Sequence, residues 1–122
     1  MVSEKRDIVL RTAEFSLRIL KLYRALPKTT DAQIIGRQLL RSGTSVGAHV
    51  REGRHSRSRA EMLSKIDVAL QELDEACYWM GLLADSGIVK ASRLKDLAGE
   101  GAELKAILYA SIKTLRGGRS RP

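Results

Sequence analysis

A single cysteine, two histidines and two prolines occur in the 122 residues, and each scarcity removes a class of protein. Cys77 alone forms no intramolecular disulfide and no cysteine-based metal centre; on the core face of a helix it serves as a small buried hydrophobe. His49 and His55 fall on different faces of a helix, no His-Glu-x-x-His pattern is present, and the Glu-x-x-His match at 52–55 has no second copy to complete a bundle di-metal site. No metal and no cofactor are therefore expected. Pro27 and Pro122 lie in an expected link and at the last position, so neither interrupts a helix. One Phe, one Trp and three Tyr are too few for a base-stacking platform; against many Leu, Ile and Ala they suit helix-on-helix packing better than a sheet. No apolar run is long enough to cross a membrane and no signal-peptide pattern is present, so a cytoplasmic chain with no membrane partner is expected.

Acidic residues are missing locally. The formal net charge is +8, which points to a polyanionic partner or an acidic protein surface. Between Arg37 and Arg59 six arginines face one acid, Glu52, and beyond Glu103 every charge is basic. The third helical segment holds most of its acids close together, at Glu61, Asp67, Glu72, Asp74 and Glu75.

What is abundant is helical periodicity, and it centres on residues 41–53, a stretch with three glycines and three Ser/Thr residues. At about 100° per residue, Ile35, Leu39, Ser42, Val46, His49 and Gly53 fall within roughly 80° of one another, a narrow small-sided face. Gly36, Gly43 and Gly47 flank it, and Arg37, Arg41, Thr44, Ala48 and Arg51 form a stripe on the far side. Each interior Gly costs about 1 kcal/mol relative to Ala. Close packing is the compensation, so this segment is expected to be the central helix of a bundle, with neighbours on more than one side.

Helix one is expected from about Ser3, an N-cap with Glu4 in the first turn, to about Ala25. Ile8, Phe15, Ile19, Leu22 and Leu26 form its core stripe. Leu10, Ala13, Leu17 and Leu20 lie nearly opposite and call for a second burying surface, another subunit. A short link at 26–30 leads to helix two over about 31–53, with Thr30 and Gln33 as capping box. Ser58 and Glu61 form a second box for helix three, Arg59 to Ser86, which Gly87 ends. Its core face is Met62, Leu63, Ile66, Ala69, Leu70, Leu73, Ala76, Cys77, Met80 and Ala84. Val68, Glu75, Trp79 and Leu82 line the reverse side, where a large aromatic signals an interface. Ser92 caps helix four, which runs to about Arg116 with Leu94, Leu97, Leu104, Leu108, Ser111, Ile112 and Leu115 inward. The fold class is thus all-α, an antiparallel up-down-up-down four-helix bundle over 1–116 with a flexible basic tail at 117–122.

Enzyme chemistry finds no constellation. Gly43-Thr44-Ser45-Val46-Gly47 has the letters of a Gly-x-Ser-x-Gly elbow, but it lies inside a helical pattern rather than at a strand-to-helix turn, and no P-loop with its lysine is present; in a crowded helix these hydroxyls bond back to the preceding turn. Glu52 is expected in a buried or interfacial salt bridge. Nucleic-acid binding rests on the arginines. Arg37, Arg41 and Arg51 share a stripe, Arg54, Arg57 and Arg59 extend it through the connector, and Arg116, Arg119 and Arg121 end the chain. Guanidinium forks bind phosphate bidentately and without sequence readout. The same arginines could instead pair with the acids of helix three in another subunit, and the sequence leaves both uses open.

The pattern Arg-Ser-Gly-Thr-Ser-Val-Gly-Ala-x-x-x-Glu-Gly at 41–53, with Ser58-Arg59-x-Glu61 and Ala69-Leu70-x-x-Leu73-x-Glu75, resembles the bacterial four-helix-bundle proteins called 23S rRNA intervening-sequence proteins. The resemblance reaches from helix one to Leu115. It implies a barrel-shaped homopentamer and a kinship with the accessory variability determinant of diversity-generating retroelements, a basic pentamer that binds nucleic acid and the element's reverse transcriptase. By motif position it marks Ser42, Ser45, Gly47, Glu52, Gly53 and Glu75 as structural or interface residues. The chain departs from the family pattern at His49, Arg51 and Gln71-Glu72. The expected function is a non-enzymatic oligomer that binds RNA or DNA, with a protein-interaction scaffold as the alternative.

Overall fold

The computed structural model describes residues 7–117, which form four α-helices and, among the described residues, no strand: α1 (Ile8–Ala25), α2 (Thr30–Arg54), α3 (Arg59–Asp85) and α4 (Ala91–Gly117). The caps decide the boundaries. Helix α1 starts later than the sequence pattern suggests, because the Asp7 carboxylate accepts the Val9 N–H at 2.9 Å; Ser3 and Glu4 lie outside the described residues. The Thr30/Gln33 box does not form. Thr29 takes the cap position, its hydroxyl donates to the Asp31 carboxylate at 2.8 Å, and the Gln33 amide turns back to the Pro27 carbonyl at 2.8 Å. Asp31 competes successfully here because it also accepts the Ala32 N–H.

Ser58 does cap α3, accepting the Glu61 N–H at 3.0 Å, while the Glu61 carboxylate accepts from Arg57 N–H rather than from Ser58. Gly87 follows α3 at φ 80°, the left-handed conformation in which a side chain is strained. Helix α4 opens at Ala91, so Ser92 sits inside the first turn instead of capping it; the Lys90 carbonyl accepts the Arg93 N–H at 2.9 Å.

Packing follows chain order, α1 on α2, α2 on α3 and α3 on α4, with a sparser contact between α1 and α4. Helix α2 is therefore crowded from two sides, as its glycines require. A Cβ placed at Gly43 would lie 2.9 Å from Ile19 Cγ1, and one at Gly47 would lie 3.2 Å from the Thr12 carbonyl oxygen. The two helices approach along that flank because nothing larger than hydrogen stands between them. The α2 face is wider than the sequence spacing suggests. Ala32, Gly36, Leu39, Ser42, Gly43, Val46, Val50 and Gly53 are buried, whereas Ile35 and His49 are only half-buried. Flanking by both α1 and α3 broadens the covered arc and swings it toward Val50.

Phe15 and Ile19 from α1, Leu39, Val46 and Val50 from α2, Leu73 and Leu83 from α3, and Leu104 and Leu108 from α4 fill one continuous core. Burial of each such side chain is worth about 1.5–3 kcal/mol. Between α1 and α4, Arg11 forms a fork on Glu100 at 2.7 Å and Glu103 at 2.6 Å. Those two acids hold the guanidinium firmly protonated.

Candidate nucleic-acid interface

Helical geometry places Arg37, Arg41 and Arg51 on the exposed side of α2, away from the core face. They are not equivalent. Arg41 reaches across to α3 and donates to Glu75 at 2.5 Å and Glu72 at 3.2 Å. The acids of α3 are thus the partners foreseen for the arginines, and for Arg41 they lie within its own chain. Arg37 and Arg51 make no ion pair among the described residues. Arg54, in the last turn of α2, pairs with Asp7 at 2.8 Å; this pair and the Val9 N–H, the larger effect, hold the Asp7 carboxyl below the usual carboxylate range. Arg57 in the connector is exposed and makes no ion pair among the described residues, Arg59 opens α3 exposed, and Arg116 is exposed in the last turn of α4. Arg119 and Arg121 lie outside the described residues.

Glu52 does form a salt bridge, but not the buried one expected. It is exposed and pairs with Lys65 of α3 at 3.0 Å, and that hydrogen bond lowers its pKa. One helical step separates it from Gly53, where a Cβ would lie 3.2 Å from Ile66 and 3.4 Å from Lys65, so α3 passes close to α2 here.

Glu75 has a role the spacing half revealed. Its carboxylate accepts the Trp79 indole N–H at 2.9 Å and the Arg41 guanidinium, and these two bonds, the indole first, hold its pKa below the usual range. Trp79 is half-buried, packed edge to face with Tyr78 at 4.9 Å between centroids. Val68 and Leu82 on the same side are half-buried as well. The second apolar stripe of α1 has little cover among the described residues: Leu10 is 51% exposed and Leu17 58%, with Leu20 half-buried. Ile34, Tyr78 and Tyr109 are also exposed; Ile34 and Tyr78 were missed because polar neighbours break any stripe around them.

The hydroxyls of the glycine-rich stretch are satisfied internally. Ser42 donates to the Gln38 carbonyl at 2.8 Å, Thr44 to Leu40 at 2.7 Å and Ser45 to Arg41 at 2.8 Å, the back-bonding expected of a crowded helix. His49 Nδ1 lies 2.9 Å from the Ser45 carbonyl. Cys77 is half-buried, and burial pushes its thiol pKa up, away from reactivity. Among the described residues no group of three or more His, Cys, Asp or Glu converges, and no helix is long and apolar enough to cross a membrane.

These features, four helices of which α1 and α2 meet on a glycine flank, with Arg41 tied to Glu75, define a four-helix bundle protein with a basic outer stripe. The sequence model of the 23S rRNA-intervening sequence proteins matches residues 4–110, and the chain belongs to that family. Among solved structures it is similar to a protein of unknown function from the S23 ribosomal protein family of Bacteroides thetaiotaomicron, at 32% identity and a TM-score of 0.83, covering 88% of this chain and all of that one. No curated protein matches the chain.

Proposed function

We propose that the chain is a non-enzymatic, basic oligomeric protein that binds RNA or DNA through arginine–phosphate contacts. The observation that carries this reading is the set of exposed guanidinia on α2 and the connector, Arg37, Arg51 and Arg57, which make no ion pair among the described residues. An uncompensated guanidinium keeps all its donors for phosphate, whereas one already held by carboxylates must give up a partner first. The family name, with its reference to 23S rRNA, and the neighbour's ribosomal family name agree with RNA as a ligand.

In this reading the helices run up-down-up-down and five subunits close a barrel. Leu10, Leu17 and Leu20 of one subunit meet the side of the next that carries Val68, Trp79 and Leu82. The face is fitted to a role as accessory to a nucleic-acid enzyme such as a retroelement reverse transcriptase. The alternative is a scaffold whose arginines serve subunit or partner contacts without nucleic acid; Arg41 and Arg54, both engaged within the chain, are the two least available for phosphate.

Fluorescence anisotropy with a structured RNA and a DNA duplex separates the two. Replacement of Arg37, Arg51 and Arg57 together by Gln lowers affinity for both ligands by about tenfold or more, at unchanged oligomer mass. If the variant binds as tightly as the parent, the scaffold reading stands.

A further inference from the structure

The hollows of this bundle differ in how many helices wall them. The groove between α1 and α2 includes Ser16 and Thr44, whose hydroxyls donate to their own helix at 3.0 Å and 2.7 Å, and Arg51. The one between α3 and α4 includes Lys105, held by Asp74 at 3.3 Å, with Ser92 and Lys95. A third cavity, of about 680 Å³, opens at one end of the bundle and takes walls from all four helices. Ile8 of α1, Val50 of α2, Met62 and Ile66 of α3, and Ile107 and Leu115 of α4 give it aliphatic sides. Ser111 and Thr114 line it too, and neither hydroxyl makes a hydrogen bond among the described residues. Arg54 stands at its rim, with Asp7 occupying two of the guanidinium's donors.

Volume and lining of this kind suit a flat, mostly apolar ring with a few polar edge atoms. The surroundings add charge. Arg57 follows α2 at this end, Lys113 and Arg116 stand in the last turns of α4, and all three are exposed. Proteins that take a base out of a strand hold it between apolar side chains, hydrogen-bond its edge and leave the phosphates to cations outside.

We infer that the end cavity receives an unpaired nucleobase, with Arg57 and Arg116 on the flanking phosphates; this rests on the nucleic-acid reading above and specifies the form of strand it takes. Hydroxyls both donate and accept, so Ser111 and Thr114 accommodate any base edge and base identity matters little.

The test uses the full chain and three RNAs: a blunt duplex, the same duplex with a short 3′ overhang, and that overhang made abasic. The overhang binds about tenfold more tightly than the blunt duplex, and the abasic strand loses that gain. Ser111→Leu and, separately, Thr114→Leu narrow the cavity and abolish the preference while blunt-duplex affinity, helix content and oligomer mass stay as they were. An abasic overhang that binds as well as the intact one overturns the inference, as does a preference that survives both variants or a change in oligomer mass, which would make the cavity a subunit contact. Blunt-duplex binding without preference rejects the base cavity alone; absence of binding to all three rejects the nucleic-acid reading with it.

Discussion

Gly43 and Gly99 are both helical glycines, yet the bundle treats them oppositely. At Gly43 a methyl group would stand 2.9 Å from the side chain of Ile19, itself fully buried and unable to yield; at Gly99 nothing lies within 4 Å of the same methyl group. Gly43→Ala therefore lowers unfolding free energy by about 1–3 kcal/mol through overpacking, outweighing its gain in helix propensity. Gly99→Ala raises it by about 0.5–1 kcal/mol. Urea denaturation of the two variants checks the sign of each. The glycine flank was legible in the sequence because 3.6-residue spacing puts Gly36, Gly43 and Gly47 together. The partner of Glu52 was not, since Lys65 lies on another helix and only the α2–α3 crossing brings it near.

At the scale of elements, Glu75 joins α3 to α2 through Arg41 and holds Trp79 within its own helix. The Trp79 indole N–H and the Arg41 guanidinium hold the Glu75 carboxyl below the usual carboxylate range, which fixes the sign of the pH dependence. A carboxyl whose folded pKa is depressed contributes stability above its unfolded pKa, and that contribution is lost as pH falls through the folded value. The stability gap between parent and Glu75→Gln is therefore constant from neutral pH down to about pH 5 and closes at lower pH. Thermal unfolding across that range measures it. Helix number, core stripes and the α3 cap were readable from periodicity and Ser58/Glu61. The starts of α1, α2 and α4 were not, because several neighbouring polar residues could serve as caps, and competition among side chains such as Asp31 and Thr29 chose between them.

For the whole molecule, the uncovered stripe of α1 is the feature a lone chain leaves unexplained. Leu10 and Leu17 are more than half exposed beside a groove lined by Ala13, Leu20, Gly47 and Ala48. Proposed burial of this surface against a second copy predicts that Leu17→Glu lowers the mass measured by light scattering while circular dichroism retains the helices. A parent that is monomeric at micromolar concentration removes this face from the interface. Sequence spacing identified the stripe as surplus to one core, but which arginines remain available depended on helix crossings. Arg41 and Arg37 lie on one stripe in the sequence, and among the described residues only the first finds carboxylates.

Available guanidinia are the core of the functional account, and salt tests them most directly. Affinity of the parent chain for a structured RNA, measured by anisotropy at rising salt, should fall linearly on logarithmic axes, with a slope corresponding to several released counterions. Affinity independent of salt, or no binding at low ionic strength, would contradict the account.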